Sequence, residues 1–234
     1  MADGPMGVVD QAKKVAGDPV PLSHTALNIA SGTVGSFKPF SRICQHVCGF
    51  HFYAHDMKRG VEAHHYCSHQ SEEVRQCVIY DSGAADARLI GIEYIISSKL
   101  FEGLPAEEKK LWHSHKFEVA SGMLYAPEIP TLVEDLEMQK LTDTYGKTFH
   151  TWQVDRGDTI PLGPPQLMMA FTGDGQIDQK LVDDRDEREG KNTAELAEHR
   201  KKLTYPDTTN PEADSWVEKG IAWQTEMKQT SLKK

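Results

Sequence analysis

Histidine is the residue type with the clearest chemical potential in this chain. Eleven histidines are present, and six of them fall between His46 and His69, with His113 and His115 following on a separate segment. Neutral imidazole is the commonest protein ligand for zinc and related metals. If the segment around them is extended, His113 and His115 point to the same face of a sheet, as two ligands of one ion must. This spacing would suit a site for a divalent metal such as zinc.

The candidate ligands come from three segments of the chain. His64, His113 and His115 are the first candidates, and His55 or Glu118 is expected to complete the set. Alternation along a strand places His64 on one face with Glu62, and His65 on the other. The favoured interpretation, however, is that these histidines make structural hydrogen bonds or lie on the surface. A bound metal, a bound haem and purely structural histidines therefore all remain open.

Four cysteines offer a second possible metal site. Cys44 and Cys48 have a spacing typical of half a structural zinc site, but Cys67 and Cys77 are ten residues apart, so the second half is missing. Their number is too small for a disulfide scaffold, and thiols are expected in a reducing compartment. Buried, apolar thiols are the favoured interpretation.

No familiar catalytic motif is present. The chain lacks a Gly-x-Gly-x-x-Gly sequence, a P-loop and a Gly-x-Ser-x-Gly sequence. The segment from Gly173 to Asp178 resembles a calcium loop, but the required carboxylate ligands are absent. Catalytic residues are therefore not identified, and enzymatic activity is neither predicted nor excluded.

Charge and hydropathy restrict the partners and the location. The net charge of −9 argues against a phosphate-backbone partner, so no nucleic acid is expected. No apolar run is long enough to span a bilayer, and the N-terminus has no signal-peptide pattern. A cytoplasmic protein is expected.

These candidate ligands need elements to position them, and the chain divides into three parts. Residues 1–40 are interpreted as a flexible N-terminal arm, 41–172 as an α+β domain, and 173–234 as a charged C-terminal extension packed on the domain. Apolar residues follow a period near two in four segments, 48–53, 61–67, 76–80 and 87–96. The short connections between these segments favour antiparallel pairing. The predicted fold is α+β, with a largely antiparallel sheet, flanking helices and a polar C-terminal tail that wraps the domain.

The remaining elements are less regular. Leu104–Trp112 indicates the start of a helix, and Lys116–Tyr125 has a strand-like composition. Residues 132–145 are predicted as an amphipathic helix whose apolar face carries Leu132, Leu136, Leu141 and Tyr145. Two further strands are expected at 149–154 and 167–171. Thr193–Leu203 is predicted as an exposed helix, and Arg200 to Lys202 as a solvated surface.

A series of ordered motifs resembles the oil-body-associated protein family. They are Gln45–Cys48, Ala54–Asp56, Val61–Tyr66, Gln76–Ser82, Ala85–Tyr94, Leu111–His115 and Thr151–Asp158. The resemblance covers about residues 42–172 and is looser in the arm and the tail. It implies association with lipid droplets, without an accepted catalytic reaction.

Two functions follow as expectations. The first is a peripheral accessory protein that helps to maintain lipid droplets, located in the cytoplasm and at the droplet surface. Its partners would be the droplet surface or droplet proteins, since the chain has no long apolar hairpin to insert. The alternative is a metal- or haem-dependent enzyme that uses the histidine cluster. The oligomeric state is not predicted.

Overall fold

A computed structural model describes residues 15–233 of the chain. The first fourteen residues of the predicted N-terminal arm lie outside this range. Within residues 15–233, seven strands form one sheet and eight α-helices accompany it. The strands are β1 (Gln45–Tyr53), β2 (Asp56–His69), β3 (Val74–Tyr80), β4 (Leu89–Ser97), β5 (His113–Ser114), β6 (Thr144–His150) and β7 (Gln166–Ala170). The helices are α1 (Leu22–Val34), α2 (Ser98–Glu102), α3 (Ala106–Lys109), α4 (Lys116–Ala120), α5 (Thr131–Leu141), α6 (Gln179–Glu189), α7 (Thr193–Arg200) and α8 (Ser215–Lys219).

The sheet closes on itself. Its strand order is β4-β3-β2-β1-β7-β6-β5, and β4 pairs in addition with β6, from Gly91 opposite His150 to Ser97 opposite Thr144. Every strand pairing is antiparallel. The predicted α+β fold with an antiparallel sheet and flanking helices is confirmed.

Alternation along the strands separates an enclosed interior from an outer face. On β4, Glu93 and Ile95 are buried, whereas Ile92 and Tyr94 on the opposite face are exposed. The strand register aligns Glu93 with Cys77 on one side and with Thr148 on the other, so these residues share the interior. The interior therefore holds the carboxylate of Glu93 among mainly apolar and histidine side chains.

Helices cover one end of this interior. Val119 of α4 and Met138 and Leu141 of α5 pack with Val47 and Ile95 from the strands. At the other end, Tyr53, Ile79 and Met168 pack together, with Trp152 against them. The helices and loops thus shield the middle of the closed sheet from solvent.

Two C-terminal helices hold this cover in place with buried arginines. Arg185 of α6 donates to the carbonyl of Met123 at 2.7 Å, and Arg200 of α7 donates to Glu134 at 2.6 Å and to the carbonyl of Leu124 at 3.2 Å. Both guanidinium groups are almost fully buried. The prediction of a solvated surface at Arg200 is therefore wrong, because the helix turns this side chain inward to satisfy backbone carbonyls.

Two local predictions are also wrong. Lys116–Ala120 is helical, because the chain leaves the two-residue strand β5 at His115 in a helical backbone conformation. Leu132 and Leu136, predicted to lie on the buried face of α5, are 78% and 67% exposed. The buried face carries Glu134, Met138 and Leu141 instead, because Glu134 binds Arg200.

The cysteines also differ from the expectation of four thiols. Cys67 and Cys77 lie opposite each other in the register of β2 and β3, with Cα atoms 4.0 Å apart, and form a disulfide bond. The sequence separation of the two cysteines did not by itself indicate this pairing. It results from the turn at residues 70–73, which brings β2 and β3 side by side. Cys44 and Cys48 are free, the first exposed and the second buried.

Candidate metal centre

Glu93 lies at the centre of five buried histidines inside the closed sheet. Its side chain is 2% exposed and projects from β4 into the interior. The histidines come from four strands and from the residue between β5 and α4. We call this set the Glu93 cluster: Glu93, His51, His65, His113, His115 and His150.

The two carboxylate oxygens of Glu93 face different histidines. Oε1 lies 3.1 Å from His115 Nε2 and 3.4 Å from His113 Nε2. Oε2 lies 2.8 Å from His65 Nε2 and 3.9 Å from His51 Nε2. Each oxygen together with its pair of imidazoles has a spacing that suits a single metal ion.

The far nitrogens of several imidazoles are held by further contacts. His115 Nδ1 lies 2.8 Å from the hydroxyl oxygen of Thr144, and that hydroxyl donates to the carbonyl of Leu141 at 2.9 Å. His65 Nδ1 donates to the carbonyl of Val47 at 3.3 Å. Metal-ligating histidines typically use their second nitrogen in this way, which fixes the ring orientation.

Burial and the neighbouring imidazoles shift the pKa values of the cluster in opposite directions. Burial raises the pKa of Glu93, but His65, His113 and His115 outweigh it and hold that pKa well below its usual range. Burial lowers the pKa of His115, and it lowers the pKa of His150 to about 3. An ionised carboxylate beside neutral imidazoles is the protonation state that binds metals.

Several buried polar atoms near Glu93 have no hydrogen-bond partner among residues 15–233. They include both ring nitrogens of His113, Oε2 of Glu118, Oγ1 of Thr148 and Nδ1 of His150. Leaving such a group without a partner costs about 1–3 kcal/mol, so buried polar groups are usually satisfied. Such atoms need either an ordered water molecule or a bound ligand as their partner.

Two of the three first-choice ligands from the sequence come together, and the third does not. His113 and His115 both face Glu93, and Glu118 lines the same small cavity as His51, His65, Glu93 and His115. His55 is an exposed turn residue between β1 and β2. His64 points to the face of β2 opposite His65, so the expected convergence of His64 with His113 and His115 is wrong.

His64 belongs to a second group, which we call the Cys48 cluster: Cys48, Glu62, His64 and His46. His64 Nε2 lies 2.7 Å from Glu62 Oε1 and 3.6 Å from Cys48 Sγ, and its Nδ1 lies 3.0 Å from His46 Nε2. Arg188 contacts both oxygens of Glu62 at 2.5 Å. Burial raises the pKa of Cys48 to about 12, so its thiol stays protonated. The possible metal-ligand atoms of this cluster therefore already have partners within the protein.

Haem does not fit the Glu93 cluster. The cavity beside Glu93 and Glu118 is about the size of one water molecule, and the remaining space is filled by side chains. A porphyrin would require the strands of the closed sheet to separate. The arrangement suits an ion with a few directly bound side chains.

Similarity to known proteins places the chain in a family. A family model described as "Protein of unknown function (DUF1264)" matches residues 37–204. Oil body-associated protein 1A of Zea mays is 48% identical over 197 residues, which cover 84% of this chain and 83% of the relative. The chain belongs to the oil body-associated protein family. Protein 1B of Arabidopsis thaliana is 47% identical, covering 82% of this chain and 80% of that relative.

The family match includes the whole candidate site. Protein 2B of Arabidopsis thaliana, a more distant member of the oil body-associated family, is 41% identical over 94% of this chain and 92% of its own. All seven strands lie within the matched residues, and so do both histidine clusters. No solved structure matches this chain.

Proposed function

We propose that this protein is a peripheral accessory protein of lipid droplets that helps to maintain them. The similarity to oil body-associated proteins carries the proposal, because the identity is 48% and 47% over at least four-fifths of both chains. The protein acts from the cytoplasm, and its partners are the droplet surface or droplet proteins.

Helix α1 provides an apolar surface for this attachment. None of its residues is buried, and its exposed apolar side chains are Leu22, Leu27, Ile29 and Val34. Leu22, Ala26 and Ile29 recur at the spacing of one helical face, and the helix contains no Asp, Glu, Lys or Arg. A helix of this type can lie in a lipid interface with its apolar face among the acyl chains.

Attachment through α1 is expected to be reversible. Among the described helices, none is both long enough and apolar enough to cross a membrane. A single 13-residue helix buries a modest apolar area in the interface. Alkaline washing is therefore expected to release the protein from droplets.

Flotation of droplets tests the proposal. The full chain should be enriched in the floating fraction and released by alkaline wash, whereas the double variant Leu22→Asp with Ile29→Asp should remain mostly in the soluble fraction. The matched control is Leu132→Asp with Leu136→Asp on α5, which alters two leucines of similar exposure and should float like the wild type. Absence of wild-type enrichment, or attachment that survives the wash, contradicts the proposal.

A further inference from the structure

We propose that Glu93, His113 and His115 bind one divalent transition-metal ion in the interior of the closed sheet. The three side chains come from β4, β5 and the residue before α4. Nothing in the similarity to oil body-associated proteins supplies this site. Hydrogen bonding, spacing and unsatisfied atoms support it independently.

The tautomer of His115 is the first observation. The hydroxyl hydrogen of Thr144 is directed to the carbonyl of Leu141, so the Thr144 oxygen accepts a hydrogen bond from His115 Nδ1. A neutral His115 that donates through Nδ1 has its lone pair on Nε2. That lone pair faces the carboxylate oxygen Oε1 of Glu93 at 3.1 Å. Two acceptors at this distance repel each other unless a cation lies beside both.

Spacing between the ligand atoms is the second observation. Zinc binds nitrogen at about 2.0–2.1 Å, and tetrahedral angles then place two ligand atoms about 3.3–3.4 Å apart. Glu93 Oε1 lies 3.4 Å from His113 Nε2 and 3.1 Å from His115 Nε2. Both distances are close to this spacing, and all three ligand atoms lie within 4.8 Å of one another.

His113 is the third observation. It is fully buried, and neither of its ring nitrogens has a hydrogen-bond partner within the described part of the chain. Its Nε2 nevertheless points toward Glu93. An ion at this position would satisfy the otherwise unpaired nitrogen and offset the cost of burying it.

The donor set defines the class of ion. Calcium and magnesium prefer shells made of oxygen, whereas imidazole suits zinc, iron, nickel and copper. Two imidazoles and one carboxylate are a common set for zinc. His65 Nε2 lies 2.8 Å from the second oxygen of Glu93, on the side away from this ion.

The Cys48 cluster is a poorer site for the same ion. Arg188 already neutralises Glu62, and His46 occupies the second nitrogen of His64. The thiol of Cys48 lies 3.6 Å from His64 and is protonated. His64 is therefore a suitable control for His113, because both are buried histidines beside a glutamate.

An ion bound to Glu93 would stabilise a weakly held part of the fold. Strand β5 has only two residues and pairs with β6 through His113 and Ser114. Coordination would join this short strand to β4 and to the start of α4. Because the unfolded chain lacks the assembled ligands, binding energy contributes to folding stability.

Metal content and thermal stability test the proposal. The full chain is purified without immobilised metal, incubated with Zn²⁺ and freed of excess, and its metal is measured by mass spectrometry. Wild type and His64→Asn should retain about one zinc per chain. Glu93→Gln and His113→Asn should lose most of it. Added Zn²⁺ should raise the melting temperature of the first pair only.

Three results would overturn the proposal. The first is wild-type protein that holds clearly less than one zinc per chain after incubation. This result would refute the site whether or not the variants fold. The second is a folded Glu93→Gln variant that keeps its zinc. The third is loss of zinc from His64→Asn but not from His113→Asn, which would place the ion in the Cys48 cluster.

Discussion

Gly146 of β6 lies directly opposite His113 of β5, and a Cβ atom on this glycine would be 2.7 Å from His113 Nε2. The same Cβ would overlap Glu93 Oε1 and would be 2.8 Å from His115 Nε2. The missing side chain at Gly146 therefore leaves the space in which the three proposed ligands converge.

Replacing this glycine is expected to disrupt the site. Gly146→Ala should lower the free energy of unfolding by about 1–3 kcal/mol, as overpacking of a core does, and should reduce zinc retention. Denaturant titration and metal analysis measure the two effects. Gly103→Ala is the control, because its Cβ would meet no atom closer than 3.5 Å. Equal stability and zinc content in the two variants would show that the space is not needed.

Arg200 is expected to contribute strongly to stability. It binds Glu134 at 2.6 Å in a buried setting, so Arg200→Ala leaves the carboxylate of Glu134 without its partner. Loss of one partner of such a pair costs about 3–5 kcal/mol. Lys202→Ala is the control, because its pair with Asp135 is half-exposed and contributes about 0–1 kcal/mol. Similar denaturant midpoints for both variants would refute the assigned role of Arg200.

Thiol labelling distinguishes the four cysteines. In the native protein at pH 8, an alkylating reagent should modify Cys44, which is exposed, but not Cys48, which is buried and has its pKa raised to about 12. Unfolding should make Cys48 accessible to the reagent. Cys67 and Cys77 should be labelled only after a reductant has cleaved their disulfide bond. Mass spectrometry counts the labels. Four labels on the unfolded, unreduced protein would contradict the disulfide.

Acid should weaken the fold through His46. Burial, together with His64 and His65, lowers the pKa of His46 to about 4. The unfolded state then binds more protons between about pH 6.5 and pH 4, so stability is complete above this window and decreases as the pH falls through it. His46→Gln should lose less stability than wild type over this range in urea titrations. The control is His55→Gln, in the exposed turn. If the free energy of unfolding of His46→Gln changes with pH as steeply as that of the wild type, the prediction is wrong.

The sequence predicted the fold better than the site. A period of two and short connections identified the strands from β1 to β4 and their antiparallel order. The closure of the sheet through β4 and β6 could not be predicted, because the two strands are more than forty residues apart and nothing local encodes their pairing. Leu132 and Leu136 were assigned to the buried face of α5 because they are apolar. That face instead begins with Glu134, which is buried although it is charged.

Glu93 was missed as a site residue for a related reason. In the sequence, Glu93 is a single acidic residue within an apolar strand. The more common role of such a residue is to form a structural ion pair. His65 was assigned to the face opposite His64, which was correct, but only the strand register shows that this face meets Glu93. His51 and His150 lie 99 residues apart, yet His51 Nδ1 is 3.2 Å from His150 Nε2. Such contacts follow from closure of the sheet.

Anomalous diffraction from crystals grown with Zn²⁺ tests the central claim most directly. Data collected on both sides of the zinc absorption edge locate the ion without reference to activity or stability. We predict one strong peak inside the closed sheet, about 2.0–2.1 Å from His113 Nε2 and His115 Nε2 and about 2.0–2.2 Å from Glu93 Oε1. A difference map without a peak between these side chains, or with its main peak beside Cys48 and His64, would contradict the account.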